Sequence, residues 1–494
     1  MLHSAPYPVV IFASLFLSSL LPLCEGGLTR SFFSTGIGLL LFLWIWGDLL
    51  WFAFVLLAGS YVITQALHRT KYCGLVGTSF SFILANLLRV AAHHNWAKVT
   101  LSADLCLYML ALRVSTVAWH AQDHKQVPRF LDVVHFIFFF PGMSTGPNLS
   151  YESVQKALTD PNTHKSNPML FIWRRVKETI FHLTAFMLFM TFVDEAKEVI
   201  STSEEFQQWP FLQRFAYIHF FCFMRRAQIG FVWFIAECTC ALSGLGYRED
   251  VTDRSGAKID EDVIKAWDPA LELATSTKLK VRMWNCSVQT WLAINVYKRL
   301  PSKMPKMVRR VVALSVSAFW HGVDPGLYIS FVLYPFFELA EGTLTDLKWP
   351  GEDNPTIALV YRAVRIVIAT LTMDFALVPF QLLTFEASWR AWKALHFYGF
   401  GVAAVFFVTG KAIRRNIRHL KKRRTAEMLE VPPSKLKAQE PVFLAPSGGP
   451  PLSEDPTFSP EVLEDSDVNG SGSAKQRRRG NKDMSDKANR DKGD

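Results

Sequence analysis

Long apolar runs broken by short polar stretches dominate the first four-fifths of the chain. Residues 9–23 are apolar and end at Cys24-Glu25-Gly26-Gly27. No Lys or Arg precedes this run, so it reads as a first membrane helix rather than a secretory leader. Residues 34–67 are apolar with a break at Gly47-Asp48, which predicts two short helices or one long tilted one. Further runs occupy 79–92, 103–118, 180–193, 211–224, 227–245, 307–320, 327–340, 357–378 and 394–409. Residues 379–385 add a short or broken piece. The pattern predicts an all-α polytopic membrane protein with about ten to eleven transmembrane helices. Several runs are shorter than the roughly 20 residues that span a bilayer. Others carry charge, as at Arg89, Arg113 and Glu237. Such segments pack inside a bundle or line a cavity, so a helical body around an internal chamber is expected.

Composition agrees. Half of the residues are hydrophobic and only 19% are charged, against roughly 25% in soluble domains. The net charge of +10 is uneven. Eight basic residues and no acid lie between Lys411 and Arg424, beside the last apolar run. That block reads as a cytosolic stop facing anionic lipid. Nothing folded accompanies it, so no nucleic-acid partner is expected. Beyond Thr425 the chain is rich in Pro, Ser, Gly and charge, the composition of a disordered segment. The chain therefore divides into a membrane domain, 1–410, and a basic, mostly disordered cytosolic tail, 411–494. Residues 194–208 and 248–280 read as polar loops, and the acids of the second lack the spacing of a calcium loop. The seven cysteines are scattered and form neither a zinc pattern nor a disulfide framework.

Candidate chemistry centres on two residues. His321 lies in Ser317-Ala318-Phe319-Trp320-His321-Gly322, inside an apolar run that Gly322, Pro325 and Gly326 then break. An ionisable group at membrane depth is costly and marks function, and a neutral imidazole is a general base near pH 7. A buried structural histidine is the bland reading. Asn285, in Trp284-Asn285-Cys286-Ser287-Val288-Gln289, shares one face of an expected helix with Gln289. A hydrogen-bonded core amide and a glycosylation sequon are its bland readings. Nine basic residues and no acid lie from Lys278 to Arg310, Lys298 among them, and Arg225-Arg226 separates two apolar runs. They read as positive-inside residues, as ligands for an anionic headgroup or phosphorylated donor, or as both. His120 and His124 share a helical face, but no HExxH pattern or local carboxylate completes a metal site. Glycine-rich phosphate loops are absent.

Trp284-Asn285-x-x-Val288-x-x-Trp291-Leu292, followed by Ser317-Ala318-Phe319-Trp320-His321-Gly322-x-x-Pro325-Gly326-x-Tyr328, resembles the membrane-bound O-acyltransferase (MBOAT) superfamily. The pattern is similar to its lysophospholipid acyltransferase branch. Met143-Ser144-Thr145-Gly146-Pro147, Phe223-Met224-Arg225, Ala236-Glu237-Cys238 and Val296-Tyr297-Lys298 are similar to lysophosphatidylinositol acyltransferases. The resemblance implies an endoplasmic-reticulum enzyme with acyl-CoA as co-substrate and no cofactor or metal. It would re-esterify the sn-2 hydroxyl of a lysophospholipid. His321 and Asn285 take the family's catalytic positions. Trp284, Gln289, Trp291, Trp320, Arg225 and Lys298 are the expected substrate-binding residues, with membrane lipids as surroundings. A protein acyltransferase of the same superfamily, a transporter and a silent scaffold are the alternative readings.

Overall fold

The computed structural model describes residues 7–345 and 351–430. The chain opens with α1 (Tyr7–Ser18), α2 (Gly27–Trp46) and α3 (Leu50–Leu67), then two long helices, α4 (Cys73–His93) and α5 (Leu101–His124). Short α6 (Phe130–Ile137) and α7 (Tyr151–Thr159) precede α8 (Pro168–Leu188). Next come α9 (Phe192–Thr202), α10 (Glu204–Gln208) and the 32-residue α11 (Phe211–Leu242). A polar stretch carries α12 (Glu261–Ile264) and α13 (Thr277–Arg282). The last group is α14 (Cys286–Asn295), α15 (Lys306–His321), α16 (Pro325–Thr345), α17 (Pro355–Leu382), α18 (Phe385–Ala394) and α19 (Tyr398–Glu430). Among the described residues no strand forms beyond one β-bridge, Tyr247 to Ile259.

Among the described residues, four helical segments are long and apolar enough to cross a membrane, or up to six if each bent pair is one span. The ten or eleven expected helices include segments that length and apolarity alone do not mark as spans: α15 is only 16 residues long, and α11 carries Arg214, Arg225, Arg226 and Glu237. The break expected within 211–245 is also absent. α11 runs straight through Arg225-Arg226 because both guanidinium groups find partners on other elements. Residues 194–208, expected as a loop, form α9 and α10. Pro379 stays inside α17, and the Phe375 carbonyl that its missing N–H leaves open accepts the Trp392 indole N–H at 3.1 Å. Helix α19 carries residues 411–424; the tail beyond 430 lies outside the described residues.

Two apolar cores organise these helices. The first joins side chains of α2 through α7 with Val10 of α1, Val288 and Trp291 of α14, and Trp320 of α15. The second joins α9, α11 and α16 through α19. Close packing of α4 on α5 anchors the first, and it requires glycine. A Cβ on Gly74 would stand 2.0 Å from the Trp119 ring, and one on Gly77 2.4 Å from Ala118 Cβ. The 248–280 stretch is tied down by Arg174, which pairs with Asp253 at 3.3 Å and Glu261 at 2.9 Å.

Candidate active site

His321 ends α15, where Gly322 (φ +144°) stops the helix with its N–H on the Ala318 carbonyl. The neighbouring Trp320 is buried in the first core. The imidazole instead meets Phe331 of α16 and Phe380 of α17, with ring centroids 5.7 and 4.9 Å away. Trp320 at 4.4 Å and Tyr108 of α5 at 5.7 Å complete an aromatic collar. His321 therefore sits at the seam between helices of the two cores. Among the described residues none hydrogen-bonds either ring nitrogen. Packing against these rings holds the imidazole in place.

Asn285 does not share a helical stripe with Gln289 as expected. It takes a left-handed conformation (φ 46°, ψ 51°) between α13 and α14, and the helix begins one residue later. Asparagine tolerates that conformation better than most residues. The turn is forced by its neighbours: Cys286 N donates to the Ala266 carbonyl at 2.7 Å, and Asp268 N to the Met283 carbonyl at 2.8 Å. Ala266 is itself clamped, since its N–H and that of Trp267 donate to the buried Glu237 carboxylate, which Arg175 holds at 2.7 Å. Gln289 folds back so that its amide donates to the carbonyls of Val281 and Trp284. It braces the turn. Among the described residues nothing hydrogen-bonds the Asn285 side chain.

The segment that precedes α7 also reaches this place. Asn148 N donates to Ser287 Oγ at 2.9 Å, and Trp233, which packs on Trp284 at 4.7 Å, donates to the Thr145 carbonyl. Arg113, noticed in sequence only as a misplaced charge, donates to the carbonyls of Ile137, Phe139 and Pro141 and fixes the approach to that segment.

With this geometry in hand, the comparison with known proteins is decisive. The model of the MBOAT, membrane-bound O-acyltransferase family matches residues 31–373. The chain belongs to the membrane-bound O-acyltransferase family. A relative named membrane-bound acylglycerophosphatidylinositol O-acyltransferase mboat7, from Xenopus laevis, is 24% identical over 404 residues, which cover 73% of this chain and 83% of the relative. The human protein of that name is 23% identical over 435 residues, or 79% and 90% of the two chains. A lysophospholipid acyltransferase of Schizosaccharomyces pombe is 25% identical over 329 residues, or 58% and 62%.

In this MBOAT chain the other expected residues divide. Trp291 is buried, and its indole N–H has no partner among the described residues. Arg225 donates to the amide oxygens of Gln381 at 2.9 Å and Gln228 at 2.7 Å, and among the described residues it forms no ion pair. Lys298 is exposed. Much of the basic interval is spent on structure. Arg299 pairs with Asp123 at 2.6 Å, Arg310 with Glu338 at 2.9 Å, and the buried Lys280 donates to the Leu271 and Glu272 carbonyls. Burial pulls the Lys280 ammonium down to about 8. Arg226 holds Glu272 and Asp374 together, and His219 also reaches Asp374, at 2.8 Å.

The carboxylate that sequence spacing did not supply to His120 and His124 arrives from α7 as Glu152, and ligand atoms of the three lie within 4.8 Å of one another. Both Nδ1 atoms are already engaged, with Glu152 at 2.5 Å and the His120 carbonyl at 3.0 Å. The hydrogen bond to His120 outweighs burial and holds the Glu152 carboxyl at about 2. The cluster reads as a link between the end of α5 and α7.

Proposed function

We propose that this chain is an acyl-CoA-dependent lysophospholipid O-acyltransferase, with lysophosphatidylinositol as favoured acceptor and a polyunsaturated donor such as arachidonoyl-CoA. One observation carries the reading: an imidazole collared by aromatic rings, its nitrogens without a hydrogen-bond partner among the described residues, ends a helix at the family's motif position. The printed names of the relatives supply the substrate class.

His321 takes the proton of the sn-2 hydroxyl as that oxygen attacks the thioester carbonyl carbon. The Asn285 amide stabilises the charge that develops on the thioester oxygen. The C–S bond breaks, the ester forms, and CoA leaves as thiol with the proton returned by the imidazolium. The step needs neither a metal nor an acyl-enzyme. Rings of Trp284, Trp291 and Trp320 line the reacting region and keep water, the competing nucleophile, away. The partnerless Trp291 N–H is a donor for the bound lipid. Arg225, which among the described residues pairs with neutral amides, and Lys298 are the cations assigned to anionic substrate groups. The enzyme is assigned to the endoplasmic-reticulum membrane with its basic tail in the cytosol, on the strength of the resemblance and the 411–424 block.

A panel of lysophospholipids offered to the purified protein with arachidonoyl- and oleoyl-CoA, read by lipid mass spectrometry, tests the reading. Formation of phosphatidylinositol from its lyso form above the other products is expected. Acyl transfer to a protein acceptor with no lipid product would overturn it in favour of a protein acyltransferase.

A further inference from the structure

We infer that Asn86, Arg89 and Tyr108 are positioning residues that set the direction of the His321 imidazole, an inference that rests on His321 being the base. The last carbonyls of a helix have no partner within it and are usually left to water or the following turn. At the end of α15, four consecutive carbonyls each receive their own side-chain donor. Asn86 Nδ2 of α4 donates to Phe319 O at 2.7 Å, and Arg89 Nη1 of α4 to Trp320 O at 3.0 Å. Tyr108 Oη of α5 donates to His321 O at 2.9 Å, and Tyr328 Oη of α16 to Gly322 O at 3.1 Å.

Two of these bonds have a particular consequence. The Trp320 carbonyl lies in the peptide plane before the His321 Cα, and the His321 carbonyl in the plane after it. Pinning both planes fixes φ and ψ of His321, and with them the direction of its Cα–Cβ bond. The aromatic collar then limits rotation of the ring itself. The donors are held in turn. Arg89 Nε pairs with Asp104 at 2.8 Å and its guanidinium lies 4.1 Å from the Tyr108 ring centroid. Trp320 Nε1 returns a bond to the Tyr108 carbonyl at 2.9 Å. Arg89 also places positive charge at the negative end of the α15 dipole. The frame belongs to α4 and α5, which pack closely through Gly74 and Gly77 in the first core.

A helix cap serving stability alone would accept the same bonds, so the test separates aim from folding. Tyr108→Phe keeps the ring and deletes one bond; Arg89→Met deletes the donor; Arg89→Lys keeps a cation and a donor. Each is purified in lipid nanodiscs beside His321→Ala, and kcat, both KM values and the thermal midpoint are measured. Tyr108→Phe and Arg89→Met are expected to lower kcat about 10- to 100-fold, since small misplacements of a reacting group cost that much, with both KM values within about twofold. The midpoint stays near that of the unaltered protein, and Arg89→Lys recovers most of the loss. Wild-type kcat in Tyr108→Phe and Arg89→Met beside an inactive His321→Ala would overturn the positioning role and leave the base assignment standing. A fall in kcat that tracks loss of folded protein would also overturn it. Activity in His321→Ala would instead remove the base, and the positioning role with it.

Discussion

Substitution of Asn285 by alanine would confound the turn it makes with the role proposed for its amide. The Asn285 backbone is left-handed at φ 46°, and among the described residues its amide has no hydrogen-bond partner. Glycine adopts that conformation without steric cost, so Asn285→Gly keeps the turn and removes only the amide. The expected outcome is a normal thermal midpoint with kcat reduced by about 10²-fold, the usual loss for one oxyanion donor. Unchanged kcat would assign Asn285 to the turn alone. Asn285→Ala adds a conformational cost of about 1 kcal/mol and should lower the midpoint as well. Gly326 is a second position where size decides. A Cβ there would stand 2.1 Å from the Pro379 carbonyl and 2.6 Å from that of Leu383. Gly326→Ala should push α16 from α17, shift Phe380 off His321, and lower both activity and midpoint in the same assays. At this scale the two motifs could be read directly, as Trp-Asn and Trp-His-Gly. Their supports could not: Asn86, Arg89 and Tyr108 stand more than 200 positions from the carbonyls they hold.

At the scale of elements, charge inside a helix misleads whenever its partner is distant in sequence. Arg225-Arg226 looked like a boundary between two membrane segments. In the fold it is the middle of α11, because Glu272 and Asp374, 46 and 148 positions from Arg226, meet it there. The Asn285 turn was hidden for the same reason, since Cys286 spends its N–H on Ala266 rather than on a preceding helical turn. Apolar periodicity sees neither kind of bond. Burial works to raise the Glu272 carboxyl, but Arg226 prevails and holds it at about 2, from an ordinary 4.5. The stability it contributes is full above pH 4.5 and is lost as pH falls toward about 2. Glu272→Gln should therefore cost about 3 kcal/mol near neutral pH, the usual penalty for breaking a largely buried pair. The gap to the unaltered protein should close as pH falls below 4.5. Thermal midpoints in detergent micelles at pH 7 and about pH 3 check both statements; a gap that widens in acid would contradict them.

For the whole molecule, apolar runs marked where helices lie, but not which core each joins, because hydrophobicity has no direction inside a membrane bundle. The second core collects α9, α11 and α16 through α19, and the first collects helices from α1 to α7 together with α14 and the end of α15. His321 lies where helices of the two meet, with Trp320 committed to one side and Phe331 and Phe380 supplied from the other. Asn285 enters separately, on a turn braced through Glu237 and Arg175. His321 is the base of the proposed reaction, so the most direct measurement is the turnover number of purified His321→Ala with lysophosphatidylinositol and arachidonoyl-CoA. A fall of about 10²- to 10⁴-fold at unchanged midpoint and abundance is expected for loss of a general base. Turnover within a few-fold of the unaltered enzyme would contradict the assignment of His321.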